Sequence, residues 1–352
     1  MVNKERIFDI FRWILGGVFS FSGIVKCVDP VGTAVFVEKY LATFSLDMLL
    51  PLALPIAVVL SVVEFTLGQL LLNGKPHRIT AIVTIAIMSL FTLVTLLNAT
   101  ILPIGDCGCF GDAIRLTPVQ TLLKNAALLP LSILMIVGAR RGGINYIALF
   151  VPVLISLGVC LYALRYQPII DFMPYDRGTN LREEVAKQRA ELENSTANIL
   201  IFRDKTTSEK VELDASNLEC WSDPNLEYLD SRTEVIAAEN YPLAELMVTN
   251  LAGDDVTLEQ LERPGRVAWI TIYDAKALER NIEAVKRLLS SESYDSYVVA
   301  TSLDANALTE RLGVECYMVD AMTLRTINRS KVGVMLLDNG VVVDKCNIRD
   351  ID

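Results

Sequence analysis

Apolar residues form long unbroken runs up to about Arg165 and short, punctuated ones after Gln167. A bilayer core is about 30 Å thick and takes about 20 helical residues to cross, because no backbone polar group can go unpaired there. Five runs meet that length, over approximately 7–26, 50–72, 79–102, 116–138 and 144–164. The first follows Lys4 and Arg6, as a signal peptide would, but it lacks a clear small-residue cleavage site and further runs come after it. It is therefore expected to be retained as a first span.

Beyond the last run the period changes. Residues 181–193 are strongly charged, with apolar positions at Leu181, Val185 and Leu192, and are expected to form a spacer helix. A short strand is expected over 198–202, followed by a loop-rich stretch holding Cys220 and Trp221. From Tyr241 onward strand and helix signals alternate: strand 267–273, amphipathic helix 275–290, strand 297–301, helix 305–312. A hairpin of 334–337 with 341–343 then closes through Asp338, Asn339 and Gly340, Asn-Gly being the dipeptide that such a turn favours. The fold class expected is an N-terminal all-α transmembrane helix bundle of about five spans over 1–166, a charged helical linker over 167–196, and an α/β domain over 197–352.

Composition supports this division. A mean hydropathy of +0.40 with 52% hydrophobic residues is too apolar for a chain of soluble domains. Most of the net charge of −10 falls in the second half, which argues against nucleic acid or an anionic membrane surface as its partner and is read as plain solubility. Positive charge gives the bundle a direction. Lys4, Arg6 and Arg12, then Lys75 and Arg78, then Arg140 and Arg141 mark alternate loops as cytoplasmic. With five spans the N-terminus is cytoplasmic and everything after Arg165 emerges in a bacterial periplasm, the protein being multi-pass in the inner (plasma) membrane.

Seven cysteines stand at 27, 107, 109, 160, 220, 316 and 346, none in a loop marked cytoplasmic. That placement suits oxidising chemistry. Cys27, Cys107, Cys109 and Cys160 all come near one membrane face, although Cys27 and Cys160 taken singly read as small buried hydrophobes. Cys107 and Cys109 flank a single glycine, between Gly105 and Gly111, in a stretch that can turn tightly and form a compact dithiol. A disulfide closed over one residue suits relay more than structure, and either sulfur could instead pair with Cys27 or Cys160. The flanking Asp106 and Asp112 disfavour thiolates and slow attack. No metal is expected, since His77 is the single histidine and two thiolates are too few for structural zinc. Cys316 and Cys346 can be a structural disulfide or a pair of free buried thiols.

Glu64 falls inside the second span, where an ionised carboxylate is costly and marks either function or a buried partner. A proton or quinone role is open to it; a protonated acid holding two helices together is the blander and favoured reading. Lys26 becomes its partner only if the helices bring it deep, its long stem otherwise reaching the interface. Lys124 is expected to snorkel.

Three stretches together resemble the DoxX/MauE-like membrane proteins: Phe21 to Pro30, with Ser22, Gly23, Lys26, Cys27 and Asp29; then Glu64, Gly68, Asn73, Gly74 and Lys75; then Cys107, Gly108, Cys109, Phe110 and Gly111. The resemblance covers roughly residues 5–165, with the Cys-Gly-Cys-Phe-Gly element its most specific part. MauE is a methylamine-utilisation accessory protein, and such families are associated with thiol-disulfide maturation of exported proteins. The resemblance implies a redox-associated membrane protein with Cys107 and Cys109 as its redox pair, supported by Cys27, Lys26, Glu64 and Cys160.

Residues 241–348 resemble a thioredoxin-like domain, with two departures. Tyr273, Asp274, Ala275, Lys276 and Ala277 stand where that family carries Cys-x-x-Cys, and Lys331, Val332 and Gly333 stand where it carries a cis-proline. The domain is thus expected to dock a client and to be redox-inactive. The partners expected are the lipid bilayer and a periplasmic client or envelope complex, with no nucleic acid. The alternative is a non-enzymatic scaffold subunit of an envelope complex. A small-molecule transporter using Glu64 ranks third, since no internal repeat is evident.

Overall fold

The structure is a computed structural model describing residues 4–74, 76–101, 108–114, 116–140, 145–205, 210–214, 221, 223–235 and 241–351. Its N-terminal half is helical: α1 (Lys4–Val28), α2 (Pro30–Thr43), a 3-10 turn (Asp47–Leu52), α3 (Ala53–Leu72), α4 (Arg78–Thr100), the short strand β1 (Cys109–Asp112), α5 (Pro118–Met135) and α6 (Tyr146–Arg165). Among the described residues, four stretches are long and apolar enough to cross a membrane: Arg6–Val28, Asp47–Leu72, Arg78–Thr100 and Tyr146–Arg165. The expected fourth run is the helix α5, whose first half carries Gln120, Lys124 and Asn125 and so falls short on composition. α5 nevertheless packs beside α4. The chain returns to where α4 began, Arg78 N–H donating to Arg140 O at 3.1 Å and Arg140 N–H to Pro76 O at 2.9 Å.

The tightest packing in the bundle is α1 on α3. A Cβ at Gly23 would lie 2.3 Å from Phe65 N, and one at Gly68 2.3 Å from Ser20 N, so both backbones approach only because these residues lack one. This antiparallel register brings Glu64 opposite the stretch holding Ser22 and Lys26. At the other end Arg12 donates to the last carbonyls of α3, Leu71 O at 2.6 Å and Leu72 O at 2.8 Å, where a cation complements the helix dipole. The helix α2 has no counterpart among the expected elements. Its sequence signature is local: Asp29 accepts from Gly32 N–H at 2.8 Å as N-cap, with Pro30 in the first turn.

The C-terminal half contains two sheets. After α7 (Leu181–Ser195), strands β2 (Thr196–Asp204), β3 (Lys210–Asp214) and β4 (Leu226–Val235) form an antiparallel sheet in the order β3-β2-β4. Phe202, Trp221 and Tyr228 cluster on it, with ring centroids 5.4–5.7 Å apart. Only part of β2 is anticipated from the sequence; β3 and β4 lie in the stretch read as loop. α7 itself is more than a spacer, because Leu181 and Val185 are fully buried in the core that follows.

That core surrounds a five-stranded sheet. Its elements are α8 (Thr257–Leu261), β5 (Arg266–Ile272), α9 (Ala275–Leu289), β6 (Ser296–Thr301), α10 (Ala305–Leu312), β7 (Cys316–Met318), α11 (Ala321–Ile327), β8 (Val332–Asp338) and β9 (Val341–Asn347). The order is β7-β6-β5-β8-β9, with β5, β6 and β7 parallel and β8 and β9 antiparallel. Every residue of β5 after Arg266 is buried because both faces are covered. Val267 and Trp269 point into one core with α7 and α11, whereas Ala268, Ile270 and Ile272 point into another with α9 and α10. Asn339 and Gly340, at φ 49° and 84°, make the expected turn. Cys316 and Cys346 are free and sit on opposite edge strands, four strand spacings or about 19 Å apart. A disulfide between them is excluded, leaving the reading of two free thiols.

Candidate functional site

Helices α1 and α3 build a buried polar cluster at the bundle end where α1 finishes. Ser22 and Lys26 lie four residues apart and share one helix face. The Lys26 ammonium donates to Glu64 Oε2 at 2.7 Å, to Ser22 Oγ at 2.6 Å and to the Cys109 carbonyl at 2.6 Å, which uses all three of its protons. Ser22 Oγ lies 2.6 Å from both Glu64 Oε2 and Cys109 O and can give its single proton to either. Lys26 is 3% exposed and Glu64 0%, so this is an ion pair within the helices and Lys26 does not snorkel. The helices thus bring Lys26 deep enough to partner Glu64, the condition on which that pairing was expected. Glu64 Oε1, by contrast, has no hydrogen-bond partner among the described residues.

The cluster fixes the loop that carries the cysteine motif. Gly108 and Gly111 adopt φ of 63° and 53°, the left-handed conformation glycine tolerates, and a Cβ at Gly108 would strike the Phe36 ring. Phe110 packs edge-on against Phe21 at 5.4 Å, while the Lys124 ammonium lies 4.2 Å from the Phe110 ring centroid. Cys109 is thus held at the cluster by its own backbone. Cys107 and Cys220 lie outside the described residues. Below the loop, Cys27 and Cys160 are fully buried and their thiols face each other across the α1–α6 contact. The structure therefore brings together Lys26, Glu64 and the Cys109 backbone, and sets Cys27 against Cys160 one helical position away from Lys26.

An apolar cavity of about 330 Å³ opens beside the cluster. Ser22, Lys26, Glu64 and Cys109 line its polar end with Lys124 and Asn125, and apolar side chains of α2, α3 and α4 line the rest. Phe44, Ile56 and Leu90 in that lining are exposed on the bundle surface, so the cavity faces the surroundings of the helices sideways.

Directly above the loop the C-terminal half docks. Arg329 donates to Asp29 Oδ2 through Nε at 3.0 Å and Nη2 at 2.6 Å, and through Nη1 to Arg325 O at 2.6 Å; Asp112 Oδ2 lies 3.7 Å from Nη2. Burial disfavours the Arg329 cation, but Asp29 and then Asp112 more than offset this and hold it charged. Arg325 reaches Glu38 at 2.5 Å, and Gln167 Nε2 donates to Asn328 Oδ1 and Ser330 Oγ, both at 2.8 Å. The edge used is the one formed by the start of α9 and the turn before β8: Tyr273 Oη donates to Arg329 O at 2.7 Å, and Lys331 pairs with Asp274 at 2.8 Å. Sequence reading missed Asp29, Ser22 and Arg329 as site residues. The Asp-Pro cap and the four-residue spacing of Ser22 and Lys26 were available signals; Arg329 had none.

Residues 4–138 match the family model of Methylamine utilisation protein MauE. The match takes in α1 to α5 with β1 and stops before α6. With four helices long and apolar enough to span, it marks the helical half as that of a membrane protein similar to this family. No curated protein and no solved structure matches the chain.

Proposed function

We propose that the chain is an inner-membrane accessory protein that supports thiol-disulfide maturation of exported proteins, with Cys107 and Cys109 as the exchanging pair. The observation that carries the reading is the position of the Cys109 segment: its carbonyl is fixed by Lys26 and Ser22 below, and Asp112 at its far end faces Arg329 of the C-terminal half above. The segment lies where the two halves of the protein meet, the place a client held by one half would encounter a thiol of the other. Exchange balances without a further reagent: a Cys107–Cys109 disulfide accepts two electrons from a client dithiol, which leaves as a disulfide while both loop thiols take up protons. Cys27 and Cys160 form a second facing pair beneath, in reach of the same end of α1.

Five crossings, with the N-terminus cytoplasmic and the C-terminal half periplasmic, fit the return of α5 to the start of α4 and the alternation of basic loops. The strand order of the five-stranded sheet supports reading 241–348 as thioredoxin-like. Its Tyr273 and Asp274 edge, where that family keeps its thiols, carries none and packs toward the bundle.

The test is trapping in intact cells. With Cys107→Ser or Cys109→Ser, the remaining thiol is expected to collect mixed disulfides with exported proteins. Unchanged oxidation of those proteins in the double serine variant would sink the proposal. A second reading, a scaffold subunit of an envelope complex, is favoured by the docked edge itself, since Arg329 and Asp29 tie it down. That reading expects stoichiometric partners on purification and function surviving loss of both thiols.

A further inference from the structure

We infer that the cavity beside the Lys26–Glu64 pair is a binding site for a lipid-soluble quinol, whose ring hydroxyl donates a hydrogen bond to Glu64 Oε1. Two independent observations lead there. The first is the cavity, about 330 Å³, near the small end of the roughly 300–1,000 Å³ usual for ligand sites. It opens sideways past Phe44, Ile56 and Leu90, so a hydrophobic tail can lie along the apolar surface of the helices while a ring enters.

The second is the unpartnered oxygen. Glu64 is fully buried and borders this cavity, its Oε2 is saturated by Lys26 and Ser22, and its Oε1 has no donor among the described residues. A buried acceptor left unpaired is costly, more so when charged, and a ligand donor recovers that cost. The ligand class follows from the charges. Lys26 and Glu64 neutralise each other, so a phosphate entering here would be desolvated and set against a carboxylate. A neutral hydroxyl meets neither penalty. The aromatic side chains of Phe36 and Phe91 in the walls favour a flat ring over a branched glycerol.

As a bound ligand the quinol is independent of the thiol chemistry; the role of its oxidised form, the quinone, as an electron acceptor rests on the function proposed above. There, two thiols of the loop become one disulfide and pass two electrons and two protons to the two carbonyls of a quinone. The quinone becomes the quinol whose hydroxyl Glu64 receives.

The experiment uses the full chain in detergent, titrated with a short-tailed ubiquinol and followed by thermal unfolding and equilibrium binding. Saturable binding is expected, about tenfold weaker for the dimethyl ether of the same quinol, which has no proton to donate. Val94→Trp, which fills the wall without touching the polar cluster, is expected to abolish binding while leaving the ligand-free unfolding temperature near that of the parent. No saturable binding, equal affinity for the ether, undiminished binding in Val94→Trp, or equal competition by a diacylglycerol would each overturn the inference. Cys107→Ser alone, which removes the dithiol and leaves every lining residue of the cavity in place, separates the two proposals, because the site requires its quinol affinity to be unchanged whatever the trapping shows.

Discussion

Two buried ion pairs stand at the same end of the bundle and differ in how completely they are used. Arg329 and Asp29 are saturated: Asp29 Oδ1 receives Gly32 N–H, Oδ2 receives the guanidinium, and the remaining Arg329 nitrogen reaches a carbonyl. Lys26 and Glu64 are not, since Oε1 is left over. A pair with every valence taken fixes one part of a molecule to another. A pair with one acceptor spare leaves a valence that a further donor can take.

The contrast can be broken first at the unsaturated pair. Lys26→Met leaves a carboxylate alone among helices, and a loss of roughly 3–5 kcal/mol in the unfolding free energy of the detergent-solubilised chain is expected. Adding Glu64→Leu should recover most of it, since removing both charges also removes the desolvation cost. If the double variant is as unstable as the single one, the pair is holding the helices together rather than being tolerated by them.

Next comes the saturated pair. Arg329→Ala should cost roughly 3 kcal/mol of docking and expose the 166–180 connection to protease, whereas Arg325→Ala, partnered by half-exposed Glu38, should cost at most ~1 kcal/mol. Equal proteolysis in both variants would show that the joint is held by area and not by Arg329.

The smallest effect concerns acid. Lys331 holds the Asp274 carboxyl below the usual carboxylate range, and Asp255 is depressed too, burial pushing it up but Thr257 and Arg189 prevailing. A depressed carboxyl binds its proton less readily folded than unfolded, so its stabilisation is whole above about pH 4 and is lost as the pH falls. Melting temperature should therefore drop as the pH falls below about 4, and Asp274→Asn should flatten part of that drop. A drop of the same size in the variant would remove Asp274 from the account.

How much of this could be read from the sequence depends on the range of the interaction. The β5 strand was legible because a run from Val267 to Ile272 with no polar break except Thr271 must be covered on both faces. The sheet of β2, β3 and β4 was not, because Lys210, Glu212, Glu227 and Asp230 make its outer strands look like loop. Lys26 and Glu64 were each legible as costly residues. Their pairing was not, since it depends on the register that Gly23 and Gly68 impose between α1 and α3. The cap of α2 was written locally in Asp29 and Pro30, yet Asp29's bond to a residue 300 positions away is a product of the assembled fold.

That same α1–α3 register has a consequence for how the protein is made. Lys26 leaves the ribosome 38 residues before the carboxylate that neutralises it, and it stands in the last turn of α1, where a long stem can carry the ammonium to the membrane surface. The first helix is therefore able to enter the bilayer with its charge still in water. Biogenesis of the bundle would then draw Lys26 inward only as α2 turns the chain and Glu64 arrives on the second helix.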